Sequence, residues 1–113
     1  MKVYYLEFVT ADVHAVCESL SSTDIRFSET VEVLGNAKIA RLGDGSMIGV
    51  RAPMSETEEP ITRAYLLVDN IESALDRVAN TGAEVIHPPL ELPGLGVFAI
   101  YTQGGIQHGL WQL

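Results

Sequence analysis

The sequence has little of several things. Its 113 residues include one cysteine, Cys17, so no internal disulfide can form. A chain with a lone thiol suits a reducing compartment, and the expected location is the cytoplasm. Basic residues are also scarce: seven Lys and Arg stand against fifteen Asp and Glu, a formal net charge of −8 at pH 7. The seven are scattered singly, which excludes nucleic acid as a partner, because binding phosphates takes clustered cations. No apolar run approaches the roughly 20 residues of a membrane helix, so no membrane partner is expected. The opening MKVYYLEFVT alternates like a strand and lacks the apolar block of a signal peptide.

What is present is ordinary for one globular domain: 47% apolar and 19% charged residues. The whole of 1–113 reads as a single domain, with a first module over about 1–53, a linker over 54–60 and a second module over about 61–113. Within it two periods alternate. VYYLEFVT reads as a strand, and Asp12 caps a helix carrying Val13, Val16, Cys17 and Leu20 at helical spacing. RFSETVEVL, AKIARLG and SMIGVRA follow as strands, separated by turn residues at 35–36 and 43–45. MSETEEP reads as a solvated acidic linker.

The same order then begins again. ITRAYLLVD is a strand, and Asn70 caps a helix that stops at Gly82. AEVIH, GVFAIYT and IQHGLWQL complete the set. Asp12 and Asn70 differ by 58 (70 − 12), and Gly49 and Gly109 by 60 (109 − 49), so one strand–helix–three-strand unit occurs twice. The expected fold is α+β: two βαβββ modules in tandem, forming a curved mixed sheet with a concave cup and the helices on the outer face. Strand parity puts Tyr5, Glu7, Arg63 and Tyr65 on the concave side, with Met47, Arg51, Gln107 and Trp111 if Gly49 and Gly109 face inward. A glycine mid-strand marks a place where something comes close to the backbone, and here it occurs at equivalent places in both halves.

The second half, YLLVDNIESALDRVANTGAEVIHPPLELPGLGVFAIYTQGGIQHGLWQL, resembles small bacterial proteins of the glyoxalase / bleomycin-resistance / extradiol-dioxygenase group, the vicinal oxygen chelate superfamily. VDNI matches their helix cap, TGAEVI their Gly-Ala turn, HPPLELPGLG their proline-rich hairpin and GLWQ their closing strand. EFVTAD in the first half echoes their first strand. One departure is Thr102-Gln103, where an Asp-Pro pair is usual. The resemblance implies that metal-dependent members place a His or Glu from four strands around one divalent ion. Carried over, those positions are Tyr5, Gly49, Arg63 and Gly109, which offer at most one oxygen donor. No metal and no other cofactor is expected.

The remaining candidates each carry two readings. Glu7, mid-strand among apolar residues, is either the ion-pair partner of Arg63 or Arg51, or a recognition group or general base. Tyr65 and Trp111 are either packing residues or a stacking surface for a ligand. His108 reads as a half-buried structural histidine in preference to a ligand, His14 as solvated, and His87 as a plain loop residue of the hairpin, with the edge of a ligand mouth as its second reading. No Ser-His-Asp or Cys-His order can be assembled, and HPPLELPGLG is no phosphate loop. Two functions follow. One is a metal-free protein binding an aromatic or cationic small molecule through Tyr5, Glu7, Arg63, Tyr65 and Trp111, with no catalytic residue assigned. The other is a metal-dependent lyase or isomerase of the glyoxalase type. A homodimer is expected in either case.

Overall fold

The computed structural model describes residues 2–113. Its fold class is α+β, and the chain divides into two compact units with the same internal order. One runs from Tyr5 to Thr62. The other joins Arg63–Leu113 to the first residues of β1, up to Tyr4. Among the described residues no helix is long and apolar enough to cross a membrane.

In the Tyr5–Thr62 unit, β1 (Val3–Val9) leads to α1 (Val13–Ser21), then β2 (Phe27–Val31), β3 (Ala37–Arg41) and β4 (Met47–Arg51). The strand order is β2-β3-β4-β1, antiparallel except for the parallel pair β4/β1, where Glu7 lies opposite Gly49. Asp12 caps α1 by accepting from the Ala15 amide at 3.1 Å. The tail of the run RFSETVEVL is not strand. Glu32–Leu34 forms a 3-10 turn that ends at Gly35 and Asn36, both with positive φ, so the chain reverses before β3. α1 buries none of its residues fully; Val13, Val16, Cys17 and Leu20 are half-buried.

The other unit repeats the plan with β5 (Ile61–Leu67), α2 (Ile71–Ala79), β6 (Glu84–Leu92), β7 (Gly96–Gln103) and β8 (Ile106–Gln112). Its order is β5-β8-β7-β6, again with one parallel pair, β5/β8, in which Tyr65 lies opposite Gly109. Asn70 caps α2 through the Ser73 amide at 2.9 Å, and Gln112 Oε1 accepts from the Ile71 amide at 2.8 Å. Capping alone is worth about 1 kcal/mol, so burial fixes this helix. Ile71, Ala74 and Leu75 pack with Ala99 and Leu110 in a core that Val68, Val78, Val97 and Tyr101 extend. Each large aliphatic side chain buried in this way contributes about 1.5–3 kcal/mol.

The expected hairpin is present, but β6 is longer than the strand read as AEVIH. The strand runs through Pro88 and Pro89 to Leu92, and the turn falls at 93–95, with Gly94 at positive φ. The prolines are tolerated because β6 ends the strand order of its unit and its register shifts twice, on either side of His87. His87 is thus a strand residue.

Candidate functional site

Each unit has a sheet face turned away from its helix core. In the Arg63–Leu113 unit, Ala99 and Leu110 belong to that core, so alternation directs Phe98 and Trp111, register partners, to the other face. Tyr65 joins them: its ring meets Trp111 edge-on at 5.8 Å and Phe98 at 6.2 Å. Tyr4 packs on Trp111 at 5.6 Å, and the His87 ring lies 4.8 Å from Phe98. The result is a continuous aromatic run from the buried Trp111 to the half-buried Phe98 and His87. Trp111 Nε1 donates to the Leu95 carbonyl at 3.2 Å, which satisfies its one polar atom.

Arg63 supplies the charge on this face. Its Nε donates to Gln107 Oε1 at 3.0 Å and its Nη1 to the Tyr65 hydroxyl at 3.2 Å. A buried guanidinium needs such oriented acceptors, and these two fix both its plane and the Tyr65 ring.

In the Tyr5–Thr62 unit the corresponding face carries Tyr5, Glu7, Met47, Gly49 and Arg51, all buried. Glu7 Oε2 accepts from Arg51 Nε at 2.8 Å, so the carboxylate pairs with Arg51, one of the two arginines expected. Arg51 also forks onto Glu58, Nη1 to Oε1 at 2.9 Å and Nη2 to Oε2 at 2.7 Å. These contacts raise the Arg51 pKa, the Glu58 hydrogen bonds foremost; burial opposes them and Glu7 adds to them. MSETEEP is therefore not simply a solvated linker, because Glu58 ties it to the strand face and also accepts from the Met54 amide at 2.7 Å.

The paired glycines now have a local explanation. A Cβ on Gly49 would fall on the Tyr5 side chain, nearest its hydroxyl and 2.7 Å from ring atoms Cε1 and Cζ. A Cβ on Gly109 would fall on the Tyr65 ring, 2.6 Å from Cγ. In each unit a tyrosine side chain occupies the space beside a strand glycine. The rings come from inequivalent positions, since Tyr65 is the repeat equivalent of Glu7 (65 − 7 = 58), not of Tyr5.

Of the five expected ligand residues, Arg63, Tyr65 and Trp111 come together in one unit, and Tyr5 and Glu7 lie on the equivalent face of the other. Phe98 escaped the sequence reading, although counting alternate residues along GVFAIYT places it on this face. His108 stacks on Tyr101 at 4.8 Å beside the helix core, and His14 is exposed against Glu18, both as expected. Cys17 is half-buried in α1, and burial pushes its thiol pKa up, against the lowering charge of Lys38. A thiol held protonated is a poor nucleophile.

No protein-family profile and no curated protein matches the chain. Solved structures do. The hypothetical protein BH1468 from Bacillus halodurans C-125 superposes with a TM-score of 0.70 at 19% identity, over 99% of this chain and 94% of that one. Methylmalonyl-CoA epimerase from Mycobacterium tuberculosis gives 0.66 at 14% identity, over 96% and 85%. A glyoxalase/bleomycin resistance protein/dioxygenase superfamily member from Vibrio splendidus 12B01 gives 0.64 at 13% identity, over 96% and 97%. The chain shares its fold with that superfamily member and with the epimerase. At these identities the likeness is one of fold.

The divalent ion implied by the resemblance does not fit the residues at the four carried-over positions. Gly49 and Gly109 have no donor, and tyrosine rings fill the space their side chains would take. Arg63 is a cation already oriented onto Gln107 and Tyr65, and one phenol does not hold a divalent ion. Among the described residues no three of His, Cys, Asp and Glu are grouped to bind a metal.

Proposed function

We propose that this chain is a metal-free small-molecule-binding protein that takes up an aromatic or cationic ligand. The observation that carries the reading is the filling of both glycine positions by tyrosine rings, which puts buried aromatic side chains where two metal donors would stand. Arg63, Tyr65 and Trp111 are assigned as ligand contacts, with Phe98 as the half-buried edge of the same surface. Planar ligands suit a face whose rings already meet edge-on, and an apolar lining with a few oriented polar groups is the usual make-up of a binding site. The net charge of −8 favours the approach of cations over anions. Tyr5 and Glu7 are assigned to the same function on the equivalent face, Glu7 also holding Arg51 in place. Function on this reading is sequestration in the cytoplasm, with no bond made or broken.

The test combines two measurements on one preparation. Trp111 is the only tryptophan, so its emission is expected to shift or quench with saturation on titration with planar cationic compounds, bleomycin-type glycopeptides included. Elemental analysis after growth with added zinc, nickel and manganese is expected to find no stoichiometric metal. One tightly held equivalent of any of them would overturn the reading in favour of a metal-dependent lyase or isomerase.

A further inference from the structure

The aromatic run ends in a residue with polar chemistry of its own. His87 Nδ1 lies 2.7 Å from the carbonyl oxygen of Pro88. A carbonyl can only accept, so Nδ1 carries the hydrogen, and in the neutral ring Nε2 is then the bare acceptor. The ring is held from the side by Phe98, at 4.8 Å and a 32° tilt. Its strand is irregular on both sides, the register shifting between Val85 and His87 and again between His87 and Leu90. Such irregularities re-aim a side chain. Nε2 has no partner among the described residues, and His87 is half-buried, so the atom is within reach of a molecule lying on the aromatic face.

We propose that His87 is the specificity-determining residue of this face: its Nε2 accepts a hydrogen bond from an N–H or O–H on the edge of a planar aromatic ligand. The ligand class is thereby narrowed to heteroaromatics and phenols with a donor at the ring edge. Of the rings nearest His87 on this face, Phe98 is apolar, and Tyr65 and Trp111 have their polar atoms engaged with Arg63 and Leu95. A ligand lying on Phe98 therefore meets at its margin one acceptor whose tautomer is set before it arrives. That preorganisation favours a donor-bearing ligand over an isostere that lacks the donor, which would leave Nε2 desolvated and unbonded.

The proposal rests on the aromatic face being the binding surface, and the experiment separates the two. Nitrogen-15 spectra of the imidazole of the free protein report the tautomer without any ligand; the Nδ1–H form is expected, and an Nε2–H form would overturn the proposal alone. Indole and benzofuran, bicycles of one shape with and without the N–H, are then titrated against amide shifts of β7 and β8. Indole is expected to bind about tenfold more tightly, the worth of one good hydrogen bond. His87→Phe, which keeps a ring against Phe98, should erase that preference while both compounds still bind. A preference that is absent in the wild type or survives in His87→Phe would overturn the role of His87 and leave the face standing. Failure of both compounds to bind the wild type would overturn the face and this proposal with it.

Discussion

Replacing Gly109 by alanine is expected to destabilise the protein, although a glycine-to-alanine change in a strand usually does the reverse. Gly109 has no positive φ, so its backbone suits alanine. The lost freedom of the unfolded chain alone would stabilise by about 0.4–1 kcal/mol. Against this stands the Tyr65 ring, whose Cγ would lie 2.6 Å from the new methyl. That atom is the root of the side chain and cannot swing aside. Its ring is wedged between Trp111 and Phe98, and its hydroxyl accepts from Arg63. Overpacking of this kind costs about 1–3 kcal/mol, so it wins over the backbone gain. At about 4 °C per kcal/mol, a melting temperature lower by several degrees is expected by calorimetry. Gly49→Ala should cost less, because the nearest atom there is the Tyr5 hydroxyl, at the far end of a longer lever. In a double-mutant cycle with Tyr65→Ala, the two penalties should fall short of additivity by about 1 kcal/mol or more. A neutral or stabilising Gly109→Ala, or strict additivity with Tyr65→Ala, would refute the ring-over-glycine argument.

Glu7→Gln is expected to lower stability by about 3 kcal/mol, the low end for breaking a buried pair, because Glu58 still balances Arg51. An unchanged urea midpoint would show that Glu7 does not hold Arg51, and weaker binding of cationic probes without loss of stability would assign it to the ligand instead. Amide hydrogen exchange should be faster in α1 than in α2, since α1 fully buries no residue while α2 buries Ile71, Ala74 and Leu75; equal protection in the two helices would contradict this. The chain is expected to run as a homodimer in light scattering, and a species of 12.3 kDa at micromolar concentration would disprove it.

Much of the fold was legible because it is written in short-range chemistry. Asp12 and Asn70 cap where their side chains can reach an amide three residues on, and the turns at 35–36, 43–45 and 104–105 each contain residues at positive φ. The doubling was legible as two offsets, and the two units do share one strand order. What was lost depends on partners distant in sequence. EVL, residues 32–34, continues a strand-like run, but its chain must turn before β3 and forms a 3-10 turn instead. AEVIH ends at His87 as a sequence reading, yet the irregular terminal strand runs on through Pro88 and Pro89 to Leu92. Glu58 looked like one more charge in a solvated run, and only the folded chain brings it to Arg51, seven residues away. The glycines could be recognised as cleared positions, but not what had moved in.

The two tyrosine-covered glycines also constrain how this chain can change. To gain a coordinating side chain at position 49 or 109, the sequence must first accept a His or Glu into space that an aromatic ring holds. Removing the ring first leaves a cavity in the sheet face, a change that for a buried aromatic typically costs about 3–5 kcal/mol. Each order of steps passes through a variant worse than either end, and folded chains have a margin of only about 5–15 kcal/mol. The tyrosines act as a ratchet: any route to a metal ligand at both positions runs uphill twice, once in each repeat, whereas drift among other aromatic residues at the rim of the face stays open.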